Sequence, residues 1–205
     1  MNILAIECSS SHASLCLAGD AAYAAEWDAV RNHDAFLFPA LRGALALASP
    51  QLILVGSGPG SYGGVRVALA AAAGVGLVHR ARVVALCSWD ALAEGRASIL
   101  SDAKRGGWAL RSPSGRLEVL DTPEVQARVA AGELIWSVEP ESTLARAGLH
   151  LPRTGLVPTA QGLVTTWQSL SAAEQEARAA APAEPIYVRP PHITTPTRKP
   201  WEIPH

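Results

Sequence analysis

Short continuous apolar runs in the first half of the chain predict strands, because a strand buried on both faces has no polar positions. Residues 3–6 and 51–56 are two such runs. Residues 13–18 and 23–27 follow the first run after tight polar turns, which favours an antiparallel arrangement. The pattern therefore predicts a meander of three strands, followed later by a fourth, buried strand.

Two helices are predicted in the same half, and they differ in how apolar they are. The first covers residues 33–48 and carries Leu37 and Leu41 near one face. The second covers residues 61–79 and is apolar on nearly every side until its last turn. Such a helix is either fully internal or lies at an interface between subunits, and the pattern leaves both open. Its apolar run at residues 67–78 is shorter than the roughly 20 residues that a membrane span needs.

The order of elements partly recurs after about residue 95. Strands are predicted at residues 98–100, 108–111 and 117–120, and helices with one further strand follow them. No repeat of sequence accompanies this repeat of element order. The chain is therefore predicted to form two α/β lobes and a proline-rich tail, at residues 1–97, 98–189 and 190–205.

The composition is typical of a folded cytoplasmic protein. Hydrophobic residues make up 49% of the chain, and the net charge is −1 with neither half basic. Direct binding of RNA or DNA needs clustered Lys and Arg, so this chain alone is not expected to bind nucleic acid. Cys8, Cys16 and Cys87 have no paired spacing, which favours buried thiols in a reducing compartment. The chain opens without an apolar leader, and no membrane association is expected.

A glycine-rich turn connects the strand at residues 51–56 to the apolar helix. Gly58 and Gly60 permit backbone angles that are closed to other residues, and a strand–loop–helix junction exposes N–H groups that can hold an anion. The turn lacks the Lys of a Walker loop and does not follow the βαβ pattern of a dinucleotide-binding fingerprint. A structural turn and a contact to phosphate or adenylate both remain open.

The polar turn after the first strand is a second candidate for phosphate chemistry. Glu7 ends the strand, and the hydroxyl residues Ser9 and Ser10 follow it. This turn is similar to the phosphate-binding hairpin of actin-like and sugar-kinase-like ATPases, in which the acid works with a bound metal. The two turns together give a candidate nucleotide site that consists of Glu7, Ser9, Ser10, Gly58, Gly60 and Ser61.

Neither a metal site nor a catalytic residue is predicted. No two of the six histidines lie on one helix face with an acid between them, as a zincin motif requires. No cysteine has an adjacent histidine to activate it. The segment around Ser61 lacks the Gly-x-Ser-x-Gly spacing of a nucleophile elbow.

These residues together resemble the TsaB (YeaZ) family, which is related to the so-called glycoprotease family. The points of resemblance are the opening strand, turn and strand, the histidine before the first helix, a Gly-Pro-Gly-Ser-Tyr-Gly-Gly-Val-Arg signature and a late Pro-x-Tyr-x-Arg segment, at residues 3–17, 31–33, 58–66 and 185–189. The resemblance implies an ASKHA fold, which is actin-like and ribonuclease-H-like. It implies two similar subdomains with mixed sheets flanked by helices.

Two departures from the family pattern bear on nucleotide chemistry. Glu7 stands where an Asp is usual, and Gly63 replaces the usual Thr of the glycine signature. The second change removes a hydroxyl group from the loop. Both changes weaken the case for intrinsic nucleotide chemistry in this chain.

The function implied by the resemblance is that of a non-catalytic scaffold. Such a subunit binds a TsaD-like ligase that forms threonylcarbamoyladenosine in tRNA, together with a TsaE-like ATPase, and forms a homodimer when alone. No cofactor is expected in the isolated chain, whereas ATP or ADP in the assembled complex remains open. The alternatives are a small actin-like ATPase or phosphotransferase and a glycoprotease-type metallohydrolase.

The two helices of the first lobe are the predicted association surface. The small and apolar side chains of the second helix would let another helix approach closely. The residues predicted to contact a partner are His33, Leu37, Leu41, Val65, Leu69, Ala72 and Gly76.

Overall fold

Two mixed β-sheets flanked by helices form the framework of the computed structural model. It describes residues 1–28, 33–93 and 96–188, with the backbone alone at residues 33, 34 and 93. The strands are β1 (Ile3–Glu7), β2 (His12–Ala18), β3 (Tyr23–Asp28), β4 (Leu52–Gly56), β5 (Arg82–Leu86), β6 (Ser98–Asp102), β7 (Trp108–Arg111), β8 (Leu117–Leu120) and β9 (Ile135–Ser137). The helices are α1 (His33–Leu47), α2 (Tyr62–His79), α3 (Asp90–Ala93), α4 (Thr122–Ala130), α5 (Glu141–Arg146), α6 (Ala160–Ser169) and α7 (Ala172–Ala180).

The first sheet has the strand order β3-β2-β1-β4-β5. The pairs β1–β2 and β2–β3 are antiparallel, which confirms the predicted meander, and β4 joins β1 in parallel with Ile3 opposite Leu52. Every residue of β1 and of β4 is buried. The continuous apolar runs thus mark the two central strands, which are covered on both faces.

Helices cover both faces of this sheet. On one face, Leu4, Ile6, Ile53 and Val55 pack against buried residues of α1 and α2. On the opposite face, Ala5 and Leu54 pack against α6, which supplies Ala160, Leu163, Val164 and Trp167. The hydroxyl of Ser14 accepts a 2.8 Å hydrogen bond from the N–H of Ala160 and so holds the first turn of α6 on β2.

The second sheet, in the order β8-β7-β6-β9, repeats the topology of the first without its fifth strand. Its first three strands are antiparallel, and β9 joins β6 in parallel. Val125 of α4 and Leu144 of α5 bury one face of this sheet. Two mixed sheets with this order confirm the ASKHA-type fold that the element order and the resemblance implied.

Helices α6 and α7 return from the second half of the chain to the first sheet. We call the first sheet with α1, α2, α6 and α7 the first lobe, and the second sheet with α4 and α5 the second lobe. The predicted boundary at residue 97 assigned all later helices to the second lobe. Helix α6 does not fit that boundary, because its apolar face completes the core of the first lobe. The domain boundaries stay a prediction, and the predicted tail at 190–205 lies outside the described residues.

Candidate functional site

The glycine loop fastens the end of β4 to the start of α2. The N–H and hydroxyl of Ser57 both donate to the carbonyl of Leu86, at 2.8 and 2.9 Å. The N–H of Gly58 donates to the hydroxyl of Ser88 at 3.1 Å, and the N–H of Ser88 donates to the carbonyl of Gly58 at 2.9 Å. Ser61 is the N-cap of α2, and its hydroxyl accepts from the N–H of Gly64 at 3.3 Å.

The turn after β1 lies directly against this loop. The N–H of Ser61 donates to the carbonyl of Ser9 at 2.6 Å. A Cβ atom at Gly60, where φ is +159°, would collide with that same carbonyl, so only glycine fits. The structure therefore places Ser9 against Gly60 and Ser61, and Glu7 joins them through the N–H of Ser9; a nucleotide-binding role for these residues stays a prediction. The hydroxyl of Ser10 instead closes its own turn through the backbone of His12.

Glu7 is fully buried beneath the loop. Its Oε1 accepts from the N–H of Ser9 at 2.6 Å, and its Oε2 has no hydrogen-bond partner among the described residues. Burial raises the pKa of this carboxyl above 4.5, and the nearby hydroxyls of Ser9 and Ser88 oppose that shift only in part. A Cβ atom at Gly56 would collide with the Glu7 carboxyl, so the glycine that ends β4 makes room for it.

Several N–H groups of the glycine loop that could donate to a phosphate are already hydrogen-bonded within this chain. The N–H groups of Ser57, Gly58 and Ser61 all donate to this chain's own oxygens. The segment after α7 lies on the other side of the loop, where the N–H of Ile186 donates to the carbonyl of Ser57 at 2.8 Å. Beside it, the Tyr187 ring stacks on Tyr62 with 5.4 Å between ring centroids. This packing supports the structural-turn interpretation of the loop over a phosphate cradle.

Ser57 and Ser88 were missed as site residues by the sequence analysis. Their hydroxyls connect the loop to the end of β5 through contacts about thirty positions apart. A serine after a strand is a common helix cap, and the sequence predicts that role for Ser88. No local pattern distinguishes such a cap from a hydroxyl that accepts from a distant glycine.

Most of the residues predicted to contact a partner lie instead in the core of the first lobe. Leu37, Leu41, Val65 and Ala72 are at most 5% exposed, and Gly76 is also buried. Leu37, Leu41 and Ala72 pack in the core of the first lobe, and Gly76 lies against Val83 of β5, so these residues have little surface left for a partner. Leu69 is half-buried against the same core, and the side chain of His33 lies outside the described residues.

The exposed face of α2 lies on the opposite side of the helix. It carries one cation, small residues and Leu77, which is 84% exposed: Gly63, Arg66, Ala70, Ala73, Gly74 and Leu77. A Cβ atom at Gly63 or Gly74 would meet nothing within 4 Å. We call these six residues the outer face of α2.

By length and composition, α2 is the one helix in the described ranges that could cross a membrane. Its buried stripe of Gly64, Val65, Ala68, Ala72 and Gly76 instead packs on the first sheet. A Cβ atom at Gly76 would lie 2.5 Å from the Val83 side chain, so the helix sits very close to β5. This packing makes α2 a layer of the first lobe.

The remaining side chains that could bind a metal or react as thiols were compared within the described residues. Within residues 1–28, 33–93 and 96–188, no three His, Cys, Asp or Glu side chains are grouped so that they could hold a metal ion. Burial raises the pKa of Cys8 and of Cys87 to about 12 and that of Cys16 to about 11, so these thiols stay protonated at neutral pH.

The comparisons with known proteins agree with this architecture. A family model described as "TsaD: tRNA N6-adenosine threonylcarbamoyltransferase" matches residues 28–121, a segment that contains the glycine loop and α2. The solved structure of YeaZ from Pseudomonas aeruginosa matches at 22% identity and a TM-score of 0.67, covering 91% of this chain and 99% of its own. A further solved structure, an uncharacterized protein with similarity to peptidase YEAZ from Pseudomonas aeruginosa, matches at 22% identity and a TM-score of 0.68, covering 92% and 99%. No curated protein matches this chain.

Proposed function

We propose that this chain is a member of the TsaB/YeaZ family and that its function is the one stated next. The glycine signature, the family match over residues 28–121 and the shared fold support this assignment. The chain acts in the formation of threonylcarbamoyladenosine in tRNA. It serves there as a non-catalytic, cytoplasmic scaffold that binds a TsaD-like ligase. A TsaE-like ATPase joins the complex, and the chain contacts tRNA only through its partners.

The outer face of α2 is the observation that carries this proposal. Leu77 of this face exposes 84% of its surface and the adjoining Val78 exposes 77%, although burying a leucine or valine is worth ~1.5–3 kcal/mol. Gly63 and Gly74 leave open space where other residues have side chains. A partner helix can therefore approach the α2 backbone closely. The same face serves a homodimer when the ligase is absent.

The hydrogen-bonded glycine loop gives α2 a fixed position for this role. Ser61 caps the helix and is itself held by the carbonyl of Ser9 on the central strand's turn. The C-terminal residue of the helix is followed by Arg80 in the left-handed conformation (φ 54°), which ends the helix sharply. Both ends are thus anchored, so docking needs little ordering of α2.

Gly74→Arg tests the proposal without disturbing the fold. Gly74 is exposed, and glycine is a poorer helix former than arginine, lying roughly 0.8–1 kcal/mol below alanine, so the melting temperature should stay equal or rise. A large charged side chain in the middle of the outer face should weaken binding of the TsaD-like protein by about 30-fold or more. Titration calorimetry with that protein, and size-exclusion chromatography with light scattering for the dimer, give the measurement.

Ala127→Arg on the exposed side of α4 is the matched control. It adds the same charge and bulk to the second lobe and should leave both kinds of association at the wild-type level. Wild-type affinity in Gly74→Arg would refute the outer face of α2 as the docking surface. A purified, folded chain that shows no affinity for the TsaD-like protein would refute the scaffold role itself.

A further inference from the structure

A cleft of about 700 Å³ lies between the two lobes. The β7–β8 hairpin of the second lobe forms one wall, and α6 and α7 of the first lobe form the other. Trp89 and Ile99 contribute apolar surface where the lobes meet. The width of this cleft is set by how the second sheet is held relative to α7.

One carboxylate at the cleft connects both walls. Asp90 Oδ1 accepts from Arg111 Nε at 2.7 Å, and Asp90 Oδ2 accepts from Arg111 Nη2 at 2.9 Å, so the pair is bidentate. Arg178 Nη1 of α7 donates to the same Oδ2 at 3.4 Å. The remaining group of Arg111, Nη1, donates to the carbonyl of Gly115 in the hairpin at 2.6 Å.

This cluster is better shielded from water than an ordinary surface ion pair. The side chains of Arg111, Asp90 and Arg178 are 14%, 20% and 35% exposed. By contrast, the pair between Arg82 and Glu176 also involves α7 but is 49% and 71% exposed. A partly desolvated, bidentate pair holds its geometry more firmly than an exposed pair, because water and salt screen it less.

We propose that Asp90 is the centre of a joint that holds the second lobe against α7 and keeps the cleft narrow. Arg111 belongs to the second sheet, and Arg178 belongs to a helix that packs on the first sheet. Asp90 lies in α3, the short helix that follows the first sheet and precedes the second, and it binds both arginines. Loss of its charge removes the ion pairs that cross the cleft. The apolar cluster around Trp89, Ile99 and Ala109 still joins the two sheets, so the cleft widens at the side of the β7–β8 hairpin and α7.

Distances between spin labels on the two lobes test the joint. Ala46→Cys on α1 and Ala127→Cys on α4 offer exposed attachment points in the full chain, while the three native cysteines are buried. Asp90→Asn keeps the size of the side chain and removes its charge. The label distance should shift to longer values by more than the width of the wild-type distribution, and Arg178→Gln should give a smaller shift in the same direction.

Glu176→Gln is the matched control, because it removes a bidentate ion pair between α7 and β5 that lies within the first lobe. It should keep the wild-type distance. Unchanged distances in both Asp90→Asn and Arg178→Gln would overturn the joint, as would an equal shift in Glu176→Gln. If Asp90→Asn does not fold, Arg178→Gln, which changes a more exposed side chain, decides by itself.

Discussion

At the scale of single residues, Glu7 is the group whose environment differs most from that of an ordinary carboxylate. It is 0% exposed, and one of its oxygens has no hydrogen-bond partner in the described part of the chain. Because burial raises its pKa in the folded state, the native protein holds this proton to higher pH than the unfolded chain does. The resulting stability is fully present below the ordinary pKa of 4.5 and is lost as pH rises through the folded-state pKa.

Glu7→Gln should remove this pH dependence, since an amide of the same shape carries no charge to bury. We expect the variant and the wild type to melt together near pH 4 and to diverge as pH rises. At pH 8 the variant should melt higher by at least ~2 °C, the shift that about 1 kcal/mol produces in a chain of this size. Thermal unfolding followed by circular dichroism from pH 4 to pH 8 gives the comparison. Parallel curves across that range would contradict the raised pKa.

The sequence predicted which residues meet at the glycine loop but not what fills the space between them. Glycines after one strand and an acid at the end of another indicate that two turns approach each other, and Gly60 does lie against the backbone of Ser9. Whether a ligand or the protein's own backbone occupies the gap depends on separations of a few tenths of an ångström. Here the carbonyl of Ser9 lies in that gap, and no residue pattern encodes that distance.

At the scale of elements, α2 shows how far an apolar pattern can be interpreted. The predicted helix at residues 61–79 agrees with Tyr62–His79, and Ser61 is its cap. The predicted partner face was wrong, because a helix that is apolar on every side has no polar side to identify its exposed face. The buried side is decided by β4 and β5, where only a residue as small as Gly76 fits against Val83.

We expect that the glycine loop does not bind a nucleotide in the isolated chain. Its N–H groups at Ser57, Gly58 and Ser61 already have acceptors, and a phosphate would have to break those hydrogen bonds. We therefore expect no saturable heat when ATP and Mg²⁺ are titrated into the purified chain. The same titration after addition of the TsaD-like protein tests the assembled complex separately. Saturable binding to the chain alone would favour the ATPase or phosphotransferase alternative.

At the scale of the whole molecule, the order of elements predicted the repeated topology but not how the two halves share their helices. Three strands, a helix and a strand recur in the sequence and in both sheets. The apolar face of α6 indicates that it packs on a sheet, without indicating which one. The sheet is chosen by space: β1 and β4 expose a second apolar face that α1 and α2 do not cover, and α6 covers it.

Leu163→Ala tests whether α6 belongs to the folding unit of the first lobe. Leu163 is fully buried against β1 and β4, so the truncation should lower the free energy of unfolding by ~2–5 kcal/mol. Hydrogen exchange should show faster exchange in β4, although Leu163 is more than one hundred positions away in the sequence. Leu134→Ala, at a leucine that is 46% exposed, is the control and should stay within about 0.5 kcal/mol of the wild type. If β4 kept its wild-type protection in Leu163→Ala, the lobes would be independent units divided near residue 97, as the sequence order alone predicts.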